Sequence, residues 1–129
     1  MSKKVLVIDD EEVVARSLMQ LFKLRYTAEV DVANSVAEAT IILKENQYEF
    51  LVVDYNLPDG TGYKMLCDLS DELPWLKDSV MVFISGISYV DMTPDFKASI
   101  EIFPRVYVRN KPINAMDLFE LADQVLVKK

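Results

Sequence analysis

Apolar runs of four to six residues alternate along this chain with segments in which apolar side chains recur every three or four positions. The first kind is too short for a helix and reads as strand, whereas the second lays an apolar stripe along one face of a helix. Lys4 to Ile8 reads as the first strand, and Val13, Val14, Leu18, Leu21 and Phe22 follow it at helical spacing. Ala28 to Val32 is a short second strand, after which Ser35 and Glu38 form a capping box ahead of Ala39, Ile42 and Leu43. Phe50 to Val53 is a continuous apolar run, as expected of a strand buried on both faces, and Asn56 to Gly60 carries the turn residues that open a third helix near Tyr63. Val80 to Ile84 repeats the buried-strand pattern. Residues 86–94 show no period, and Asp95 to Phe103 gives a short fourth helix between Pro94 and Pro104. Arg105 to Val108 is the fifth strand, and Asn114 caps a last helix carrying Leu118, Leu121, Ala122, Val125 and Leu126. Strands and helices in strict alternation predict a doubly wound α/β fold with a parallel sheet.

The residues at which the apolar runs stop carry the chemistry. Asp9 and Asp10 follow KVLVI, Asp54 follows FLVV, Ser85 follows VMVFI, and Lys111 follows RVYVRN. A parallel sheet delivers the last residue of every strand to one edge, so these side chains converge in a single acidic cleft. A cleft of that kind, with one Lys, suits a divalent cation and a phosphoryl group. Asp54 is the candidate nucleophile, because it ends a central strand and precedes a loop from which a phosphodonor can reach it. The negative oxygens of such a donor repel a carboxylate, and Mg²⁺ relieves that repulsion. It keeps several waters, so Asp10 and Asp54 with one carbonyl are sufficient protein ligands. Lys111 takes up the remaining charge, and Ser85 donates its hydroxyl to the same group. Each residue alone has a plainer reading: helix N-terminal acids for Asp9 and Asp10, a turn residue for Asp54, a helix cap for Ser85, a surface lysine for Lys111. Their joint placement outweighs those readings.

Composition narrows the setting. A length of 129 residues leaves room for one domain, and no stretch approaches the roughly 20 apolar residues of a membrane span. Without a signal-peptide pattern at the start, the expected location is the cytoplasm. The chain has no His and a single Cys, Cys67, which removes His-based catalysis, the usual zinc ligands and any internal disulfide. A net charge of −7 argues against direct contact with nucleic acid.

With these positions in view, the chain resembles the receiver domain of two-component response regulators from Lys3 to about Val127. An acidic pair, a lone Asp, a hydroxyl residue and a Lys-Pro fall in the family's order at successive strand ends. The resemblance implies a flavodoxin-like fold, with five parallel strands in the order 2-1-3-4-5 and five helices, and one receiver domain over residues 1–129. It also implies that Asp54 accepts a phosphoryl group from a histidine kinase or histidine phosphotransfer protein. The backbone carbonyl of Asn56 becomes the third protein ligand of Mg²⁺, while Asp9 orients the hydrated metal or binds it through water. The Lys111–Pro112 bond is expected to be cis. Gly86 leaves the acyl phosphate open, with Asn56 and Ile87 flanking the opening. Such a chain catalyses only its own phosphorylation and dephosphorylation, and if complete it is a stand-alone receiver. Its output contact is expected on the face from the fourth helix to the fifth strand, with Tyr89, Val90 and Met92 as candidates, in a monomer or a weak phosphorylation-dependent dimer.

Two positions depart from the family. The segment 86–105 is longer than usual, and the place three residues before the lysine is Val108, with the aromatic Tyr107 one position earlier. Either a bulge restores Tyr107 to the switch position or the coupling uses no aromatic rotamer; we favour the second. Val108 keeps open a phosphorylation-independent interaction module as the alternative. A haloacid-dehalogenase-like phosphatase, suggested by Asp59-Gly-Thr61, fails on spacing, since Leu57 stands where its nucleophile belongs.

Overall fold

The computed structural model describes residues 3–87 and 91–129. Its elements are β1 (Lys3–Ile8), α1 (Glu12–Arg25), β2 (Tyr26–Ala33), α2 (Val36–Glu45), β3 (Phe50–Asp54), β4 (Asn56–Leu57), β5 (Gly60–Thr61), α3 (Gly62–Leu69), a 3-10 helix (Pro74–Asp78), β6 (Val80–Ser85), α4 (Pro94–Ile100), β7 (Val106–Asn110), α5 (Ala115–Ala122) and β8 (Val127–Lys128). The main sheet runs β7-β6-β3-β1-β2-β8. Its first five members are mutually parallel, which is the expected order 2-1-3-4-5 once the strands of the parallel sheet are counted alone. β3 lies at the centre, with all five of its residues buried, because both sheet faces are covered by helices.

Strand alternation divides the interior into two cores. Leu6, Ile8, Leu51, Val53, Met81 and Phe83 face α2, α3 and α4, where they meet Leu43, Leu66 and Phe96. Val5, Val7, Phe50, Val52, Val82 and Ile84 face α1 and α5, meeting Phe22 and Leu118. Phe22 anchors this second core, with Tyr26, Phe50 and Phe119 all within 6 Å of it by ring centroid.

Several boundaries move from their expected places. The inward stripe of α1 is Ala15, Leu18 and Phe22, while Val13 is 79% exposed. Val13 precedes Ala15 by two residues, about 200° round the helix, so both cannot face the sheet. β2 starts directly at the end of α1 and is longer than Ala28 to Val32. Tyr26 joins it because the ring fills the α5 side of the core, while the hydroxyl donates to the Phe119 carbonyl at 3.0 Å and to Asp123 Oδ1 at 2.6 Å. β7 continues past Val108 to Asn110, α4 stops at Ile100, and α5 stops before Val125 and Leu126. The antiparallel pairs β4/β5 and β2/β8 are two residues deep, too short to leave a period in sequence.

Replacing Phe22 by Ala should cost about 3–5 kcal/mol in urea unfolding, since the cavity is walled by three aromatic rings. Ile41→Ala, at a side chain 63% exposed on α2, should stay within about 0.5 kcal/mol of the parent protein.

Candidate functional site

The site is assembled where β1, β3 and β7 end. Gly62 makes that assembly possible. A Cβ there would stand 2.3 Å from Val53 Cγ1 and 3.0 Å from the Asp54 carbonyl, so only glycine lets α3 begin against the end of β3. Asp54 is 4% exposed; its Oδ2 accepts from Lys111 Nζ at 3.2 Å and its Oδ1 from the Asn56 amide at 3.3 Å. Asp9, also 4% exposed, is held on three sides. Its amide donates to the Ala33 carbonyl at 3.0 Å, its carbonyl accepts from Asn34 Nδ2 at 2.9 Å, and its carboxylate accepts from the Glu11 amide at 2.8 Å. One Asp9 carboxylate oxygen is thus engaged by the amide of Glu11, the residue just before α1. Asp10 is exposed, yet one carboxylate oxygen from each of Asp9, Asp10 and Asp54 lies within 4.8 Å of the others. Lys111 also approaches Glu11 Oε1 at 3.8 Å, and its bond to Pro112 is cis.

Ser85 closes the neighbouring strand β6 and is 1% exposed. Its hydroxyl oxygen accepts from the Ile87 amide at 3.0 Å, and among the described residues it has no hydrogen bond to Asp54 or Lys111. The structure thus brings Asp9, Asp10, Asp54 and Lys111 into contact distance and leaves Ser85 engaged with its own loop. Asn56 lies exposed in β4, two residues beyond Asp54. Among the described residues, a Cβ at Gly86 would meet nothing within 4 Å.

Burial sets the electrostatics. It pushes the Asp9 carboxyl up to about 6, with the hydrogen bond from the Glu11 amide pulling the other way and the charge of Asp54 adding to the rise. Asp54 is likewise raised by burial, against the pull of Lys111. Burial works against the charge on Lys111, but Asp54, Asp9 and Glu11 outweigh it and raise its pKa. Two carboxylates removed from water, a third beside them and one ammonium leave excess negative charge. An all-oxygen donor set of this kind fits a hard divalent cation.

The segment behind the site decides between the two readings of Tyr107 and corrects one expectation, that of Met92. β6 and β7 pair without interruption from Met81 opposite Val106 to Ser85 opposite Asn110, so no bulge turns Tyr107 toward α4. Tyr107 packs in the α1/α5 core with its hydroxyl 3.5 Å from Gln124 Oε1, whereas Val108 packs in the other core. No aromatic side chain occupies the switch position. Met92, expected at the surface, is 4% exposed and packs in the core with Phe96, because an apolar side chain leading into α4 gains more there than in water. Tyr89 and Val90 lie outside the described residues.

Asp59 has a role that its sequence position did not reveal. Its two carboxylate oxygens accept from the Val36 amide at 2.8 Å and the Ala37 amide at 3.0 Å, capping α2 from the turn between β4 and β5. Ser35 caps the same helix from its own chain by accepting from the Glu38 amide, which is the part a local spacing can reveal.

The structure thus presents a flavodoxin-like α/β sheet with an acid trio and a lysine at its carboxyl edge. Residues 5–122 match the response regulator receiver domain, and the chain belongs to that family, the receiver domains of two-component signalling. It is 40% identical over 77 residues to the DNA-binding transcriptional activator DevR/DosR of Mycobacterium tuberculosis, covering 57% of this chain and 35% of that protein. The match therefore spans about a third of the relative's length. Among solved structures, chemotaxis protein CheY4 of Vibrio cholerae has a TM-score of 0.78 at 20% identity, covering 98% of this chain and 100% of that one. A response regulator from Burkholderia pseudomallei, solved with a phosphorylated aspartic acid, a calcium ion and citrate, has a TM-score of 0.73 at 24% identity, covering 93% and 66%.

The hydrogen bonds to Asp59 hold its carboxyl below the usual range, so the stability it gives is present above the unfolded carboxylate pKa of about 3.9 and is lost as pH falls through the lower folded value. Asp59→Ala should accordingly melt at a lower temperature than the parent protein at pH 7. The gap should narrow as the pH of the melting series is taken below about 4.

Proposed function

We propose that this chain is a phosphoacceptor receiver that takes a phosphoryl group from a phosphohistidine donor onto Asp54 in the presence of Mg²⁺ and thereby switches a partner-binding surface. The observation that carries the reading is the contact of Lys111 Nζ with Asp54 Oδ2 at 3.2 Å inside the cluster formed with Asp9 and Asp10. A carboxylate oxygen of Asp54 forms the new O–P bond as the donor's N–P bond breaks, and the departing imidazole keeps the nitrogen electron pair. Lys111 follows the charge from the carboxylate to a phosphoryl oxygen without leaving the cleft. Asp10, Asp54 and the Asn56 carbonyl would hold the cation, with Asp9 beside it, and when bound it neutralises negative charge on donor and acceptor together. Ser85 would donate its hydroxyl hydrogen to the transferred group, a donor that its bond from the Ile87 amide leaves free. The product is an acyl phosphate on a cytoplasmic chain that stops near one phosphoryl group and turns over no external substrate.

The donor is a histidine kinase or histidine phosphotransfer protein. A cleft of about 430 Å³ beside Asp9 and Lys111, lined by Val13, Val14, Leu18, Leu21 and Ile113, offers an apolar seat for it next to the acceptor. The exposed Val13 of α1 forms part of that seat. A downstream protein partner is expected on the face from α4 to β7, with the chain monomeric or weakly dimeric when phosphorylated.

Intact mass after incubation with acetyl phosphate should rise by one phosphoryl group in Mg²⁺, and by none in a chelator or in Asp54→Asn. Full labelling of Asp54→Asn would remove Asp54 from its role. Mg²⁺ at ten times its dissociation constant should also stabilise the protein by about 1.4 kcal/mol, and Asp10→Asn should need a higher concentration for the same gain. The alternative, a phosphorylation-independent interaction module, is favoured by Val108 alone; it expects partner binding to be unchanged by Mg²⁺ and phosphodonor. Lys111→Ala separates labelling from switching, since it should be phosphorylated while showing a weakened partner response.

A further inference from the structure

The site carries one carboxylate that the transfer described above does not use. Glu11 Oε1 lies 3.8 Å from Lys111 Nζ, the nitrogen that also meets Asp54 Oδ2 at 3.2 Å, so Glu11 and Asp54 are neighbours across a shared ammonium. The Glu11 side chain is 61% exposed and makes no capping hydrogen bond to α1, although the residue stands at the N-cap of that helix. A pair this long and this wet adds little stability. What it adds is charge at the entrance, where Glu11 lines the apolar cleft together with Asp9, Lys111 and Val13.

A balance of charges shows why that matters. Asp9, Asp10 and Asp54, the three acids that approach one another, are matched by one divalent cation and Lys111. Glu11 is then the carboxylate left over beside Lys111, whereas Glu12, the next residue, is already paired with Arg16 at 2.9 Å. Beyond burial and the charge of Asp54, the Glu11 charge contributes to the rise of the Asp9 carboxyl, so its field reaches the buried acids. An incoming phosphodonor is an anion, and the repulsion it meets grows with its own charge.

We propose that Glu11 is a specificity-determining residue, a charge filter that slows capture of small free phosphodonors according to their negative charge. The site is thereby left to a donor that the neighbouring apolar seat holds by contacts a small anion cannot make. The proposal rests on the phosphoacceptor reading above. Two small donors separate charge from reactivity, because at pH 7 acetyl phosphate is a dianion and N-protonated phosphoramidate a monoanion. In both, a carboxylate oxygen of Asp54 forms the new O–P bond. Acetate departs with the electron pair of the broken O–P bond in the first, and ammonia departs with that of the broken N–P bond in the second.

The test labels the full chain, Glu11→Gln and Glu12→Gln with each donor, reading the rate per unit donor concentration by intact mass at Mg²⁺ saturating for each variant. Mg²⁺ affinity is measured separately by backbone amide shifts. In low salt Glu11→Gln should react with acetyl phosphate about two- to fivefold faster than the parent protein and gain less with phosphoramidate. It should also bind Mg²⁺ more weakly, because the charge that repels the anion attracts the cation. The rate gain should shrink in about 0.5 M salt. A merely structural role would impair both donors and the cation alike. Glu12→Gln removes the same charge one position away and should match the parent protein. An unchanged rate, an equal factor for both donors, a gain that salt does not reduce, Mg²⁺ binding that does not weaken, or the same gain in Glu12→Gln overturns the proposal while leaving the phosphoacceptor reading in place. A parent protein labelled by neither donor in Mg²⁺ overturns both.

Discussion

A carboxylate buried at the end of the central strand needs a counter-charge, and in this chain it comes from two strands away. Lys111 reaches Asp54 past the intervening strand β6, whose Ile84 pairs with Asp54 on one side and with Arg109 on the other. That bridge holds only while three parallel strands keep their register, because a slip of one residue would turn a side chain to the opposite face. The pair itself contributes little net stability, since desolvating Asp54 consumes much of the attraction and Lys111 stays partly in water. The sheet holds the charges in place. The apolar runs of β3 and β6 fix the register, and the site follows from it.

The parts of this arrangement legible in sequence are those set by local period or by strand ends. Continuous apolar runs at Phe50 and Val80 locate the two central strands, and the residues directly after them locate Asp54 and Ser85. Asp9 and Asp10 follow in the same way from β1. What sequence leaves out depends on contacts between distant segments. The Asp59 cap on α2 spans more than twenty residues, and the hydrogen bond from Asn110 to the Ile87 carbonyl spans as many, so neither follows any helical or strand spacing. Tyr26 lies before the strand expected from Ala28 for a related reason, as its position in β2 is decided by Phe22 and Phe119 and by a hydroxyl bonded across the core. Val13 illustrates the converse, an apolar residue near helical spacing that the geometry of a single buried face leaves outside.

The unusual valine before the lysine has a counterpart on the other side of Asp54. Tyr55, directly after it, stacks on Tyr63 of α3 at 5.7 Å and meets Phe96 of α4 edge-on at 5.1 Å, while Phe96 also touches Phe83 of β6. These rings tie the residue beside Asp54 to the two helices on that face. Interiors pack at near-crystalline density, so a shift of the Asp54 backbone is transmitted to Phe96 by contact. β7, by contrast, presents Val106 and Val108 to this core, side chains restricted at χ1 and without a polar end.

The single tryptophan lies at the far end of this structure. Trp75 sits in the 3-10 helix that leads into the first residue of β6, half-buried beside Tyr48, at the edge of the sheet opposite the acid trio. Its place beside Tyr48, at the end of the sheet away from Asp54, makes the tryptophan a local reporter of packing at the start of β6, separate from Tyr55 beside Asp54.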